Sequence, residues 1–158
     1  VLFWLNIIAA TGKSVEEITR EHWRKYGRSY YLRFDFDGIP TDTANKLMSD
    51  LEAKLPPLNG QKLGSYEVAK AEAFVYNDPV DHSSTQNGLR ILFTDGSRIV
   101  YRLSGTSSSG ATLRVYIEKF SRELDAEPRQ MVDELLKIAA ELAEIEKRTG
   151  KKEADVTT

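Results

Sequence analysis

Cysteine is absent from this sequence of 158 residues. A chain without thiols forms no disulfide bond and no thiolate zinc site. Histidine is almost absent as well, since His22 and His82 are the only two and lie far apart in the sequence. The sequence therefore does not predict a metal site built on cysteine or histidine.

The chain also lacks an excess of positive charge and a long apolar run. Its formal net charge is -2 at pH 7, which does not favour a nucleic acid or an anionic membrane as partner. The most apolar stretch, residues 1–10 (VLFWLNIIAA), would make about 15 Å of helix, half of what a bilayer core requires. It has no signal-peptide pattern. We interpret it as the end of a core helix that belongs to a neighbouring domain.

What the sequence does contain is the balance of a folded domain, with 41% hydrophobic and 29% charged residues. The first helix is expected to end at Gly12. A capping-box pattern, Ser14 with Glu17, begins a second helix that ends at Gly27. Alternating apolar residues over 30–36 then predict a strand, so we expect a domain boundary near Gly27.

Six further elements follow from periodicity and from turn residues. They are a helix after Pro40, capped by Thr41 or Asp42 and ended by Pro56-Pro57; a strand over 66–76; a polar loop over 77–88; a hairpin with strands 89–94 and 97–103; a strand over 112–120; and a long helix from Pro128 to Gly150. The pair Asp95-Gly96 predicts a two-residue type I′ turn in the hairpin. Asp78 and Asp81 are expected to be turn residues.

The stretch RLSGTSSSGATLR, residues 102–114, places a run of small hydroxyl and glycine residues between two arginines. Hydroxyl, guanidinium and backbone N–H groups are all hydrogen-bond donors, and the stretch contains no acidic side chain. Glycine also allows a ligand to approach the backbone closely. The pattern indicates a site for an anion, phosphate first.

Other functions fit this stretch less well. Residues 105–112 read G-x-x-x-x-G-A-T, which lacks the lysine of a nucleotide-binding phosphate loop, and a strand is expected where that motif needs a helix. A serine nucleophile would need a nearby base and a G-x-S-x-G context. A flexible serine-rich loop without a ligand remains an alternative, which Arg102 and Arg114 at the two ends of the loop disfavour.

Isolated residues elsewhere have a structural interpretation beside the functional one. Asp35 and Asp37 could form a metal pair, but alternate residues on the solvent face of a strand give the same pattern. His22, on its helix stripe, Trp4 and Trp23 are expected to be core residues. His82 is expected to lie in a loop.

Several blocks of the sequence resemble the phosphoglucomutases of the α-D-phosphohexomutase superfamily. The blocks are VLFWLNIIA, SVEEI..EHW.KYGR, ANKLM.DLEA, DPVD, LRILFTDGSRIVYRLSGT, GATLRVYIEKF and RTGK. They cover essentially the whole chain and resemble the C-terminal portion of the family enzyme. The resemblance implies an α+β fold, an antiparallel sheet packed against two helices as in the TATA-binding protein. It also implies that residues 1–26 are helices of the preceding domain or a linker, and that 27–158 form the C-terminal phosphate-binding domain.

By the same resemblance, this domain anchors the non-reacting phosphate of glucose 1-phosphate, glucose 6-phosphate and the 1,6-bisphosphate intermediate in a cytoplasmic isomerase. The positions that match the family's phosphate-binding loop are Arg102, Ser104, Gly105, Thr106 and Arg114, with Ser108 as a further candidate. The catalytic phosphoserine and the Mg²⁺-binding aspartates belong to other domains, so this chain alone should be inactive. Mg²⁺ and glucose 1,6-bisphosphate are the implied cofactors of the full-length enzyme, and the implied partners are a phosphosugar and the remaining domains.

A second hypothesis is a non-catalytic phosphoglucomutase-like protein that keeps the fold for protein–protein interaction. The intact set of donors in the loop favours the enzyme. The sequence departs from the common family pattern at Ser107, Ser109 and His82, where that pattern has Gly, Ala and Gly.

Overall fold

A computed structural model describes residues 1–107 and 110–158 of the chain. The α-helices in these ranges are α1 (Leu2–Thr11), α2 (Val15–Tyr26), α3 (Thr41–Lys54), α4 (Pro128–Leu142) and α5 (Ile145–Thr149), with a 3₁₀ turn at Pro56–Leu58. The strands are β1 (Arg28–Ile39), β2 (Lys62–Leu63), β3 (Tyr66–Asn77), β4 (Ser84–Phe93), β5 (Arg98–Ser107), β6 (Gly110–Ser121) and β7 (Val156–Thr157). None of the helices in the described ranges combines the length and the hydropathy of a transmembrane span.

The described strands form one antiparallel sheet in the order β2-β3-β4-β5-β6-β1-β7. Consecutive strands from β2 to β6 are neighbours, whereas β1 enters the sheet beside β6. Helices α3 and α4 cover one face and share a single hydrophobic cluster with it. The predicted α+β class, an antiparallel sheet packed against two helices, is confirmed.

Strict alternation in β6 explains why this sheet has one buried face. Leu113, Val115 and Ile117 are buried beneath the helices, while the residues between them are partly exposed on the other face. On the helix side, α4 contributes the stripe Val132, Leu135, Ile138 and Ala139. The hydroxyl of Tyr101 in β5 donates to the Ala139 carbonyl at 3.0 Å, which fixes α4 on the sheet. The core therefore leaves the second face of the sheet available to polar residues.

The two N-terminal helices begin and end where the sequence predicts. Ser14 and Glu17 form both hydrogen bonds of a capping box, and Gly12 ends α1 in the left-handed region at φ 65°. However, neither helix contains a buried residue. His22 is exposed, Trp4 is 44% exposed and Trp23 is partly exposed, so their assignment to the core is wrong for the chain as described. Helical spacing predicts a shared face, but it does not predict that the chain supplies something to cover that face.

The long C-terminal helix predicted to run to Gly150 is interrupted. Helix α4 stops at Leu142, and Glu144 takes a left-handed conformation with φ 50° before α5 begins. The Glu144 carboxylate forms ion pairs with Lys54, Lys147 and Arg148, which stabilise this break. These partners also lower the pKa of Glu144 to about 2. Apolar spacing alone does not reveal such a local interruption.

The predicted helix after Pro40 is present, but its cap differs from the prediction. Pro40 itself is the N-cap residue, and no side chain caps the helix. Neither Thr41 nor Asp42 therefore has the capping role that the sequence suggested, because both already lie inside the helix.

The hairpin β4–β5 is confirmed, but its predicted two-residue turn is wrong. Phe93 N–H donates to the Ser97 carbonyl at 2.9 Å, which leaves three residues, 94–96, in the loop. Gly96 has φ 87°, but Asp95 is not among the residues with positive φ, as a type I′ turn would require. The Asp95 carboxylate accepts hydrogen bonds from the backbone and hydroxyl of Ser97, and these bonds favour the longer loop.

The predicted polar loop over 77–88 is much shorter in the structure. Strand β4 already begins at Ser84, which pairs with Asn77 of β3. Asp78 and Asp81 are turn residues, as predicted, because their carboxylates accept hydrogen bonds from Val80 and Ser83 N–H groups. Polar residues at the exposed end of a two-stranded extension gave no alternation that sequence reasoning could detect.

Candidate anion-binding site

The hairpin β5–β6 carries the residues that the sequence predicts for anion binding. In its register, Arg102 is directly opposite Arg114, Ser104 is opposite Thr112, and Ser107 is opposite Gly110. Arg102, Ser104, Gly105 and the backbone of Thr106 are therefore brought together with Arg114 at one end of the sheet. The side chain of Thr106 and the predicted residue Ser108 lie outside the described part of the chain.

Arg102 and Arg114 place two positive charges side by side on the face away from the helices. Their neighbours Tyr101 and Val115 are fully buried on the helix side, and successive strand residues point to opposite faces. Like charges directly opposite each other across a strand pair are destabilising. Arg102 forms no ion pair with any residue that the structure describes. An anion bound between the two guanidinium groups would offset this repulsion.

Gly105 interrupts the regular pairing between the arginine pair and the tip of the hairpin. The register shifts between Ser104 and Ser107, and Gly105 has φ 67°, a conformation that favours glycine. A Cβ atom built on Gly105 would meet nothing within 4 Å. The backbone at this bulge is thus exposed and uncovered on the side where a side chain would be, which leaves room for a ligand.

Gly88 of β4 provides the space that Arg102 occupies. Its neighbour Leu89 pairs with Tyr101, so Gly88 lies beside Arg102 on the adjacent strand. A Cβ atom on Gly88 would lie 2.3 Å from the Tyr101 carbonyl oxygen and 2.8 Å from Arg102 Cγ. Any larger residue would displace the arginine or the strand. Nothing in the sequence indicates this role, because the Asn87-Gly88 pair is typical of a turn.

Asp35 of β1 lies on the other side of Arg114, in the same row across the sheet. Its side chain is 8% exposed, and its carboxylate oxygens lie 2.9 Å from Arg33 Nε and 3.6 Å from Arg114 Nε. The expectation of a solvent-facing carboxylate is therefore wrong for Asp35. Alternation correctly places Asp35 on the open face, but only the register of β1 against β6 reveals that two arginines cover it.

Asp37 belongs to a second row nearer the hairpin tip. Its carboxylate accepts a hydrogen bond from the Thr112 hydroxyl at 2.6 Å, and its N–H donates to the Asp155 carboxylate at 2.7 Å. Thr112 in turn lies opposite Ser104. Lys151 pairs with Asp155, and the hydrogen bonds from Lys151 and from Asp37 lower the pKa of Asp155. This row fixes the strand that carries the candidate site.

The acidic residues near the hairpin are thus engaged by arginine, hydroxyl and lysine groups. Within residues 1–107 and 110–158, no group of three or more His, Asp or Glu side chains could hold a metal ion. The two arginines, by contrast, have the charge and donor set for a phosphate or carboxylate group. The site has the chemistry of anion binding.

Comparison with known proteins gives the context of this site. The family model described as "Phosphoglucomutase-1, C-terminal domain" matches residues 28–155. The chain is 43% identical to phosphoglucomutase-1 of Homo sapiens, 46% to phosphoglucomutase of Rhizobium radiobacter and 46% to phosphoglucomutase-like protein 5 of Homo sapiens. Each of these alignments covers 100% of this chain but 30% of the relative.

A solved structure shows the same fold. The open form of the exocytosis-sensitive phosphoprotein pp63/parafusin, a phosphoglucomutase from Paramecium, matches with a TM-score of 0.85 and 37% sequence identity. The match covers 98% of this chain and 28% of that one. The chain therefore spans about 30% of the length of the curated relatives it matches.

Proposed function

Because the chain belongs to the family of phosphoglucomutase-1 C-terminal domains, we propose that its β5–β6 hairpin anchors one phosphate group of a phosphosugar. The anchoring residues are Arg102, Ser104, Gly105, Thr106 and Arg114. Ser108 is a further candidate by its match to the family loop. The position of Arg102 directly opposite Arg114 is the observation that carries the proposal.

The two guanidinium groups supply the charge of the site. Arginine is planar and can donate two parallel hydrogen bonds to a phosphate, whereas lysine offers a point charge. A hydrogen bond to a charged group contributes on the order of 1.5–3 kcal/mol. Two arginines that already face each other therefore provide both affinity and a fixed orientation for the phosphate.

The remaining residues add neutral donors from one short segment. Ser104 contributes a hydroxyl group, and Gly105 contributes a backbone N–H at a position with open space on its Cβ side. Thr106 contributes a second hydroxyl by its match to the family loop. These donors discriminate a tetrahedral oxyanion from a simple halide because they contact several oxygen atoms at once.

In a full-length relative, this anchor would hold the phosphate that does not react. Glucose 1-phosphate, glucose 6-phosphate and the 1,6-bisphosphate would each place one phosphate on the hairpin while the other end of the sugar meets the phosphoryl-transfer centre. Fixing one end of the substrate lowers the entropic cost of reaching the transition state. By the family resemblance, the Mg²⁺-binding aspartates of such an enzyme would lie in its other domains.

The same proposal divides the chain into two parts. Residues 27–158 form the phosphate-binding domain, and residues 1–26 are helices of the preceding domain or its linker. The exposed apolar surface of α1, where Leu2 is 78% and Phe3 is 76% exposed, supports this division. So does the absence of buried residues in both N-terminal helices of the described chain.

A titration of the 158-residue chain with inorganic phosphate tests the proposal. In ¹H–¹⁵N spectra at constant ionic strength, saturable shifts are expected at the Ser104 and Gly105 amides and at the Nε–Hε groups of Arg102 and Arg114. Glucose 6-phosphate should shift the same resonances. Arg98, at the far end of β5, is the internal control and should not move. Saturable shifts centred elsewhere, or none at the hairpin, would remove the anchoring function.

A further inference from the structure

We infer that Asp35 is a positioning residue for Arg114: its buried carboxylate holds the Nε end of the guanidinium group and so presents the other end to the bound phosphate. The inference rests on the proposed anchoring function. It assigns a role to an acidic side chain at a site whose ligand is itself an anion. Electrostatic repulsion alone would disfavour an acidic side chain there.

The register of the sheet places Asp35 where it can act. Asp35 of β1 lies directly opposite Arg114 of β6, and Arg102 lies opposite Arg114 on the other side. The three residues form one row, with Arg114 in the middle. The phosphate-binding side of Arg114 faces Arg102, and its opposite side faces a carboxylate. The order of charges across the row is negative, positive, positive.

The burial of individual Arg114 atoms shows which part of its guanidinium group the Asp35 carboxylate contacts. Arg114 Nε is buried and lies 3.6 Å from an Asp35 oxygen, yet the Arg114 side chain as a whole is 36% exposed. The exposed surface therefore belongs to other atoms of the side chain, of which the two Nη groups are polar. Asp35 takes the inner end of the guanidinium and leaves these outer donors for a ligand.

Arg33 strengthens the role of Asp35 by fixing the carboxylate itself. Its Nε lies 2.9 Å from Asp35 Oδ1, whereas Arg114 Nε lies near Asp35 Oδ2. Among the described residues, neither arginine Nε has a hydrogen bond of good geometry, so both contacts are charge contacts. A carboxylate held between two arginines has little freedom to leave Arg114. The guanidinium is then ordered before phosphate arrives, which reduces the side-chain entropy lost on binding.

Two physical effects of removing the Asp35 charge have opposite signs. Coulomb's law predicts that Asp35→Asn binds phosphate more tightly, because a negative charge near the anion is lost. Loss of positioning predicts weaker binding, because Arg114 must be ordered at the moment of binding. The direction of the change therefore separates a positioning residue from a charge that is merely nearby.

The test compares dissociation constants for inorganic phosphate in the 158-residue chain. Asp35→Asn should weaken binding about 5-fold to 10-fold, corresponding to one poorly oriented charge-assisted hydrogen bond. Glu118→Gln is the matched control, since Glu118 pairs with the directly opposite Arg98 at 2.5 Å on the same two strands as the arginine pair. It should leave the constant within about twofold, as expected for a partly exposed ion pair away from the ligand.

A double-mutant cycle shows whether Asp35 acts through Arg114. Asp35→Asn combined with Arg114→Lys should bind phosphate no more weakly than Arg114→Lys alone. Additive losses would overturn the inference, as would an Asp35→Asn variant that binds as tightly as the parent chain or more tightly. Both of those results leave the anchoring function intact. A parent chain that does not bind phosphate at the hairpin would overturn the anchoring function and this inference together.

A measurement on the unaltered chain covers the case in which Asp35→Asn fails to fold. Nitrogen relaxation of arginine Nε–Hε groups reports side-chain order on the picosecond-to-nanosecond scale. Without phosphate, Arg114 should be markedly more ordered than Arg102, whose side chain is exposed. Equal disorder of the two groups in the free protein would contradict positioning by Asp35.

Discussion

Arg102 of β5 lies directly opposite Arg114 of β6, on the face of the sheet that the helices leave uncovered. This relationship depends on strand register, because a shift of one residue would turn one of the two arginines into the core. Asp35 and Gly88 flank the pair on the next strands. Asp35 places a negative charge beside Arg114, and Gly88 leaves room for the Arg102 side chain. The candidate site is therefore a row across four strands as well as a loop.

Gly88→Ala should damage the site from the neighbouring strand. Gly88 has φ 123°, and an added Cβ atom would lie 2.3 Å from the Tyr101 oxygen and 2.8 Å from Arg102 Cγ. We expect roughly 2–4 kcal/mol of destabilisation from backbone strain and overpacking. Urea unfolding measures this loss, and a phosphate titration should show weaker binding as well.

Gly60→Ala is the matched control for Gly88→Ala. Gly60 has φ 76°, but a Cβ atom there would meet nothing within 4 Å. Gly60→Ala should lower the free energy of unfolding by only about 1 kcal/mol, because alanine is strained in the left-handed conformation. Phosphate binding should not change. Equal effects of the two substitutions would show that Gly88 is needed for its backbone angle and not for the space it gives Arg102.

The sequence pointed to the hairpin residues of the candidate site but not to the residues that surround them. Arg102 and Arg114 were recognisable because they flank a run of small donors within one stretch of chain. Asp35 and Gly88 come from strands far away in the sequence, and nothing in their local pattern indicates which residue they oppose. Register is a property of the folded sheet. A single sequence reveals it only where a turn fixes it, and even the turn at Asp95-Gly96 differed from the expected type.

The helices and strands were predictable where a local sequence pattern determines them, and not where they depend on distant contacts. Alternation in β6 and apolar spacing in α4 gave correct elements because each buries one face. The break at Glu144 was missed because its ion pair with Lys54 joins residues that lie far apart in the sequence and come together only in the folded chain. Likewise, Trp4 has the residue type of a core position but no covering partner in the described ranges.

His82→Gly should stabilise the chain. His82 has φ 59°, a conformation that is strained for most residues other than glycine, and the common family pattern has Gly at this position. Relief of strain, less the extra freedom that glycine gives the unfolded chain, should leave a gain of about 0.5–1 kcal/mol in the free energy of unfolding. Urea denaturation measures it. Ser83→Gly, the adjacent control, should slightly lower the free energy of unfolding. If His82→Gly also lowered it, the His82 side chain would have to make a contact that offsets the backbone strain.

Tyr101 should make the chain sensitive to alkaline pH. Burial of the fully enclosed phenol raises its pKa well above the ordinary value. Above pH about 10 the unfolded chain releases this proton while the folded chain retains it, so the free energy of unfolding falls as pH rises. One such group contributes a slope of at most about 1.4 kcal/mol per pH unit.

Tyr101→Phe should remove the contribution of this phenol to the pH dependence of the free energy of unfolding. It should lose about 1 kcal/mol at neutral pH, because the hydrogen bond to the Ala139 carbonyl is gone. Between pH 10 and 11.5, urea unfolding should nevertheless show a shallower decline than in the parent chain. Tyr31→Phe, at a position that is 73% exposed, is the control and should keep the parent slope. If the free energy of unfolding of Tyr101→Phe fell with pH as steeply as that of the parent chain, Tyr101 would be excluded as the cause.

The 158-residue chain should show no mutase activity by itself. The proposed role is to hold a phosphate, and the resemblance places the phosphoryl carrier in domains outside this chain. A coupled assay with glucose 1-phosphate, Mg²⁺ and glucose 1,6-bisphosphate should give no turnover above the blank. Turnover that persists through repurification would show that the chain contains its own phosphoryl-transfer centre.

The central claim is that Arg114 grips the phosphate with two donors, and one substitution tests it most directly. Arg114→Lys keeps the positive charge but removes the planar fork, so the dissociation constant for inorganic phosphate should rise at least about 10-fold. The melting temperature should change little, because lysine keeps a positive charge beside the buried Asp35 carboxylate. Arg98→Lys, on the open face at the other end of β5, should stay within about twofold of the parent chain. Equal and near-parental constants for the two variants would contradict the anchoring role and leave Arg114 a structural arginine.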